Sequence, residues 1–243
     1  MGKFFLGVVP VMGAKCSKGI YHDARGRTAA YCSSTVLHPM TLRFVTTNNE
    51  KLREVSQMLR RPLLGVGLDL EELQTTDIER LVWHKTMQAY RKLRVPLIVE
   101  DTSLIFKHWG ALPGPFIKYF LENLGLEGMV DALAPFQNWN AAAICGVGYH
   151  DGARVHFFEG RVEGTIVSPT GEGGFGWDSI FRPDGSSYTY AEMSAGQKNT
   201  CSNRAVAIKA LEAYLETPQR DFTRSTTHRP RPIPSDGDRF GRA

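Results

Sequence analysis

From Leu42 onward, apolar and polar positions fall into blocks of changing period, and each block predicts an element. LRFVTT, Leu42 to Thr47, reads as a buried strand. In NNEKLREVSQMLR the apolar Leu52, Val55, Met58 and Leu59 recur at helical spacing, with Asn48 or Asn49 suited to the cap and Pro62 ending the run. LLGVGLDL, Leu63 to Leu70, alternates as a second strand. A helix from about Asp77 to Leu93 gathers Ile78, Leu81, Val82, Ala89 and Tyr90 largely on one face, and Val95-Pro96 stops it. Leu97 to Val99 is then a short apolar strand that ends in Glu100-Asp101.

Farther on, LPGPFIKYFLENLG predicts a loop entering a helix closed by Gly125, with a second helix near Leu126 to Leu133. Two β-rich stretches, Asn140 to Tyr149 and Arg154 to Val167, flank Asp151-Gly152, a dipeptide favoured in hairpin turns. A last helix, about Asn199 to Leu215, aligns Ala205, Ile208, Leu211 and Leu215. Strands alternating with helices, plus a long hairpin, predict an α/β protein with a mixed sheet. Residues 41–216 form the expected domain. Residues 1–40 are expected to be a disordered extension, with Met40 a candidate opening of the functional chain, and the Arg/Pro/Ser/Thr-rich 217–243 a disordered basic tail.

Charge narrows the partners. The net +4 belongs to the two ends, which together carry +7, while residues 41–216 carry −3. The domain is therefore not expected to bind nucleic acid by charge. No apolar run is long enough to cross a membrane, so no membrane partner is expected. Cys16, Cys32, Cys145 and Cys201 lie far apart without a C-x-x-C pair, which argues against a metal ribbon or a disulfide framework and for a reducing compartment. The expected location is the cytoplasm. The N-terminal segment resembles both a weak signal peptide and an acidic-poor transit segment, which keeps nucleus and mitochondrion open, and Leu6 argues against myristoylation.

Three groups of residues carry candidate chemistry. In VEDTS a buried strand delivers Asp101 and Thr102 at its carboxyl edge, where open α/β sheets place ligands, and Glu72 follows another strand. Two such carboxylates suit Mg²⁺ with a water left as nucleophile, although strands also simply finish in solvated acids. Lys51 lies one turn into a helix after Thr46-Thr47-Asn48, so backbone N–H groups and an ammonium can face a phosphate; Lys85, Lys118 and Lys198 add charge or are solvated surface lysines. No Walker-type sequence is present. In GEGGFGWDSIF, Phe175 and Trp177 either offer faces for a nucleobase or plug a core under a glycine-rich loop. Asp178, Ser202, Asn203 and Arg204 are candidate contacts to base edges, and the histidines show no ligand spacing.

FVTTNNEKLREV, VEDTSL, LPGPFIKYFLE, FGWDSIF, RPDG, TYAEM and QKN-x-x-S-x-R, in this order, resemble the inosine triphosphate pyrophosphatase family from about Leu42 to Leu215. The resemblance implies an elongated mixed sheet flanked by helices, two lobes with a central cleft, and a homodimer. It implies Mg²⁺-dependent hydrolysis, with Mn²⁺ as a possible substitute, of non-standard purine nucleoside triphosphates (ITP, dITP, XTP) to the monophosphate and pyrophosphate. Carried over, Thr46, Thr47, Asn48 and Lys51 hold the triphosphate with Lys85 and Lys118; Glu72 is a Mg²⁺ ligand; Asp101 is a ligand or the base that activates water, with Thr102 beside it. Phe175, Gly176, Trp177 and Asp178 match the base-stacking and base-contacting loop, and Lys198, Ser202 and Arg204 the remaining contacts.

Two positions depart from the family. Thr47 stands where it usually has Gly, and Asn203 where it has His between Ser and Arg. The first is expected to reshape the phosphate loop and the second to retune selectivity for 6-oxo purines. Two further classes stay open: a non-catalytic or altered-specificity nucleotide-binding protein on the same fold, and a nucleic-acid binder using the basic ends.

Overall fold

A computed structural model describes residues 17–22, 28–33 and 41–217. Within the stretch expected to be disordered, β1 (Ser17–His22) and β2 (Thr28–Ser33) pair antiparallel as a separate two-stranded sheet. The remaining residues of the extension, and the tail beyond Thr217, lie outside the described residues.

The main sheet begins with β3 (Leu42–Val45), which leads through α1 (Asn49–Met58) to β4 (Leu63–Val66), its parallel neighbour. The chain then crosses through α2 (Ile78–Leu93) to β5 (Leu97–Phe106), parallel to β3 on its other side. Connections leaving β3 and β4 in opposite directions make the carboxyl edge between β3 and β5 a topological switch point, the usual ligand crevice of such sheets. After β6 (Pro113–Gly114) and α3 (Ile117–Leu133) come β7 (Asn140–His150), β8 (Val155–Ile166) and β9 (Phe181–Pro183), all antiparallel, in the order β4-β3-β5-β7-β8-β9, with β6 on β5. The expected hairpin turns at Asp151, whose Oδ1 accepts from Ala153 and Arg154 N–H.

Several predicted boundaries move. β5 continues to Phe106 instead of stopping at Val99, because its antiparallel partner β7 runs alongside its whole length. β3 stops at Val45, so on that side β5 is unpaired from Glu100 until β6 joins at Leu104. That gap is the floor of the cleft. β4 ends at Val66 instead of Leu70. Gly125 adopts φ 68° inside α3 and kinks it where the sequence closes one helix and starts another. The last predicted helix is two, α4 (Ala195–Cys201) and α5 (Asn203–Glu216), broken at the extended Ser202, whose Oγ caps α5 through Ala205 N–H.

Two apolar clusters lie toward opposite ends of the long strands. One joins Ile98 and Val147 with Phe44, Val55, Ile208 and Leu211. The other joins Leu104, Phe106 and Ala143 with Met129, Leu133, Ile180, Phe181 and Tyr190. α5 seats closely on β8 at Gly160, where a Cβ would collide with the Asn203 carbonyl and Ala207 N, so glycine is required for this approach. No helix among the described residues is long and apolar enough to cross a membrane.

Candidate active site

A cleft of about 840 Å³ opens at the switch point and is lined by twelve of the sequence-predicted residues: Thr46, Thr47, Asn48, Lys51, Glu72, Lys85, Asp101, Thr102, Lys118, Phe175, Gly176 and Trp177. Thr102, Phe175, Gly176 and Trp177 also border a side pocket of about 30 Å³, completed by Asp178, Lys198, Asn203 and Arg204. The candidate phosphate and base residues thus stand at two ends of one continuous surface.

At the first end, Asn48 Oδ1 accepts from Glu50 and Lys51 N–H, capping α1 and committing that oxygen to the helix. Thr46 Oγ1 accepts from Asn48 N–H. Among the described non-glycine residues only Arg94 and Gln137 have positive φ, so Thr47 sits there without the left-handed backbone that would call for glycine.

Successive residues of β5 face opposite sides of the sheet. Asp101 meets Lys85 of α2, Oδ2 to Nζ 2.7 Å, and Lys85 also reaches Glu72 Oε1 at 3.0 Å. Glu100 turns to the α1 and α5 side, where Arg204 Nη2 donates to Oε1 at 3.1 Å and the Cys145 thiol donates to the same oxygen at 3.2 Å. Lys51 reaches over the end of β3 toward both, 3.1 Å from Glu100 and 3.9 Å from Asp101. Asp101 is therefore mid-strand, yet still at the edge where its parallel neighbour has ended.

The ion pairs continue to the base end. Arg204 and Lys198 share Glu54, Lys198 Nζ lying 2.8 Å from its Oε1, and Lys198 also lies 2.5 Å from Asp178 Oδ2. From Asp178 through Lys198, Glu54, Arg204, Glu100, Lys51, Asp101 and Lys85 to Glu72, acids and bases alternate without interruption. Burial alone would raise the Glu100 pKa, but Arg204 and Lys51 outweigh it and hold the carboxyl down to about 2. Burial lowers Lys85, and Asp101 with Glu72 overcomes it, raising the ammonium above its ordinary value. At Asp178 burial dominates and the carboxyl is raised despite Lys198.

Several site residues also serve the fold. Trp177 is only 8% exposed and packs edge-on against Phe181 at 5.7 Å and beside Tyr190, so it anchors the loop in the core while bordering both pockets. Phe175, half-buried between Gly174 and Gly176 of positive φ, is the more exposed aromatic of the loop, and its ring lies 4.8 Å from Lys198 Nζ. Ser202 is buried, and its Oγ accepts from Ala205 N–H to cap α5. Lys118, 70% exposed and 3.8 Å from Glu122, lines the cleft from α3. Glu54 and Glu100, absent from the candidates that the sequence offers, join these ion pairs. The available signals were a carboxylate next to Val55 on the apolar side of α1 and an acid in phase with Ile98 and Leu104 on a buried strand.

Among the described residues no three His, Cys, Asp or Glu form a group that would hold a metal by themselves. Glu72 and Asp101, however, converge on one ammonium, and Mg²⁺ commonly takes one or two carboxylates and completes its shell with phosphate and water, so the pair fits that ion. In the side pocket Asn203 Nδ2 is buried without a hydrogen-bond partner, as is Arg204 Nε.

Residues 42–214 match the model of the Ham1 family. Inosine triphosphate pyrophosphatase 2 of Trypanosoma cruzi is 44% identical over 183 residues, covering 73% of this chain and 92% of that one. Inosine triphosphate pyrophosphatase of Saccharomyces cerevisiae is 43% identical over 192 residues, covering 74% and 96%. The solved structure of a Ham1 protein from Coxiella burnetii superposes with a TM-score of 0.64 at 24% identity, over 72% of this chain and 98% of that one.

Proposed function

The chain belongs to the Ham1 family, and from that premise we propose that it hydrolyses 6-oxo purine nucleoside triphosphates, ITP, dITP and XTP, to the monophosphate and pyrophosphate with Mg²⁺. The observation that carries the substrate class is the unpartnered Asn203 Nδ2 in the side pocket, beside an unpartnered Arg204 Nε. Buried donors without acceptors are costly, and an oxo-substituted base supplies acceptors where an amino-substituted one brings more donors.

The cleft suits the remainder of the molecule. Phe175 stacks on the base, the N-terminus of α1 and Lys51 face the triphosphate, and Asp101 accepts the proton of the water that attacks the α-phosphorus. Lys51 and Lys85 balance charge on the departing pyrophosphate, so most of the rate comes from positioning and electrostatics. The ion-pair chain holds five carboxylates and four cations. A triphosphate alone would meet an excess of negative charge, which supports a divalent cation at Glu72 and Asp101. Mg²⁺ bound there would supply Lewis-acid polarisation of the phosphate. Family membership also carries the proposal of a homodimer, which sedimentation equilibrium tests.

The deciding assay is pyrophosphate release from ITP, XTP, dITP, GTP and ATP with Mg²⁺ and with chelator. Release from ITP, dITP and XTP but not from GTP or ATP, lost on chelation, is the expected outcome. No release from any nucleotide would favour a non-catalytic nucleotide binder.

A further inference from the structure

Residues 67–77 connect β4 to α2 without regular structure, yet carry Glu72 to the edge of the cleft. A carboxylate on an irregular segment is useful at a fixed point only if its backbone is fixed. Three α2 side chains on one stripe, at positions i, i+3 and i+7, hold this segment in reverse order. Lys85 Nζ meets Glu72 Oε1 at 3.0 Å, Gln88 meets Glu71, and Lys92 Nζ donates to the Asp69 carbonyl at 2.6 Å. Leu68 and Leu70 pack beneath it against Val45, Ala89, Leu97 and Val99.

The Gln88 contact is double. Its Oε1 accepts from Glu71 N–H at 3.1 Å and its Nε2 donates to the Glu71 carbonyl at 2.9 Å, so one side-chain amide engages both backbone groups as a paired strand would. Nε2 also lies 2.9 Å from His84 Nδ1, one turn earlier on α2. With Nδ1 as acceptor, this contact fixes which end of the amide faces which backbone group. The Lys contacts are a charge on a flexible stem and a single bond; only Gln88 fixes orientation as well as distance.

We infer that Gln88 is a positioning residue for the cation site, holding the Glu71 backbone so that the Glu72 carboxylate stands beside Asp101, with His84 locking the amide. The inference rests on the proposed cation role of Glu72. Two measurements on the full chain test it. In hydrogen exchange without metal, the Glu71 amide is slow in the wild type and several-fold faster in Gln88→Ala; equal rates overturn the clasp. In Mn²⁺ titrations followed by electron paramagnetic resonance, Gln88→Ala raises Kd by about 10-fold or more, the size expected when a residue supporting a metal ligand is removed. Glu72→Gln abolishes binding. Gln88→Glu, which sets a carboxylate against the Glu71 carbonyl, follows the Ala variant. Mn²⁺ binding that Gln88→Ala leaves unchanged overturns this inference alone, whereas a wild type that binds no Mn²⁺ overturns the cation reading of Glu72 and this inference with it.

Discussion

Asp101 lies 2.7 Å from the Lys85 ammonium at the floor of the cleft, so exchanging one of its oxygens for nitrogen removes a base while barely changing shape. Asp101→Asn is expected to fold with an unchanged circular dichroism spectrum and to lose turnover by about 10²- to 10⁴-fold, the usual contribution of a positioned general base. The aromatic pair separates in the same way. Trp177→Ala opens a cavity in the core beside Phe181 and Tyr190 and should cost about 3–5 kcal/mol, read as a large fall in Tm. Phe175→Ala should leave Tm nearly unchanged and raise KM several-fold. At Asn203 the comparison is one of ratios: Asn203→His should alter the preference of kcat/KM for ITP over ATP, and identical ratios would remove Asn203 from base selection.

Helix faces and strand phases explain both what was legible and what was not. The apolar periodicities that placed α1, α2, α3 and the β7–β8 hairpin depend on local sequence, and those elements appear where expected. The length of β5 was hidden because Glu100, Asp101, Thr102 and Ser103 read as polar, whereas pairing with β7 carries the strand through them. The break at Ser202 was hidden because a serine that ends one helix and caps the next resembles any serine within a helical pattern. Glu54 and Glu100 gain their role from Arg204, about 150 and about 100 residues away in the chain, a pairing that periodicity does not encode. For Glu100 the consequence is measurable. Its folded pKa lies below the ordinary value, so the stability it contributes is present above pH 4.5 and is lost as pH falls toward 2. The linkage is roughly 3 kcal/mol, and acid unfolding curves of Glu100→Gln should be flatter than wild type over that window.

For the whole molecule, the cleft opens where the sheet changes from parallel to antiparallel pairing, and every site residue lies between Thr46 and Arg204. Removing residues 1–40 and 218–243 should therefore leave kcat/KM for ITP unchanged, measured side by side with the full chain; a large loss would place part of the site in an end. The alternating chain of charges also means that loading the cleft is an exchange of partners. Lys85 spends two of its three ammonium hydrogens on Glu72 and Asp101, so a phosphate that draws the ammonium toward itself weakens both pairs at once. When it turns to the nucleotide, two carboxylates are released together, next to each other, in need of a countercharge. Nucleotide and divalent cation should accordingly favour each other's arrival, each tightening the other's Kd by the same factor, and that reciprocity is open to calorimetric titration in either order.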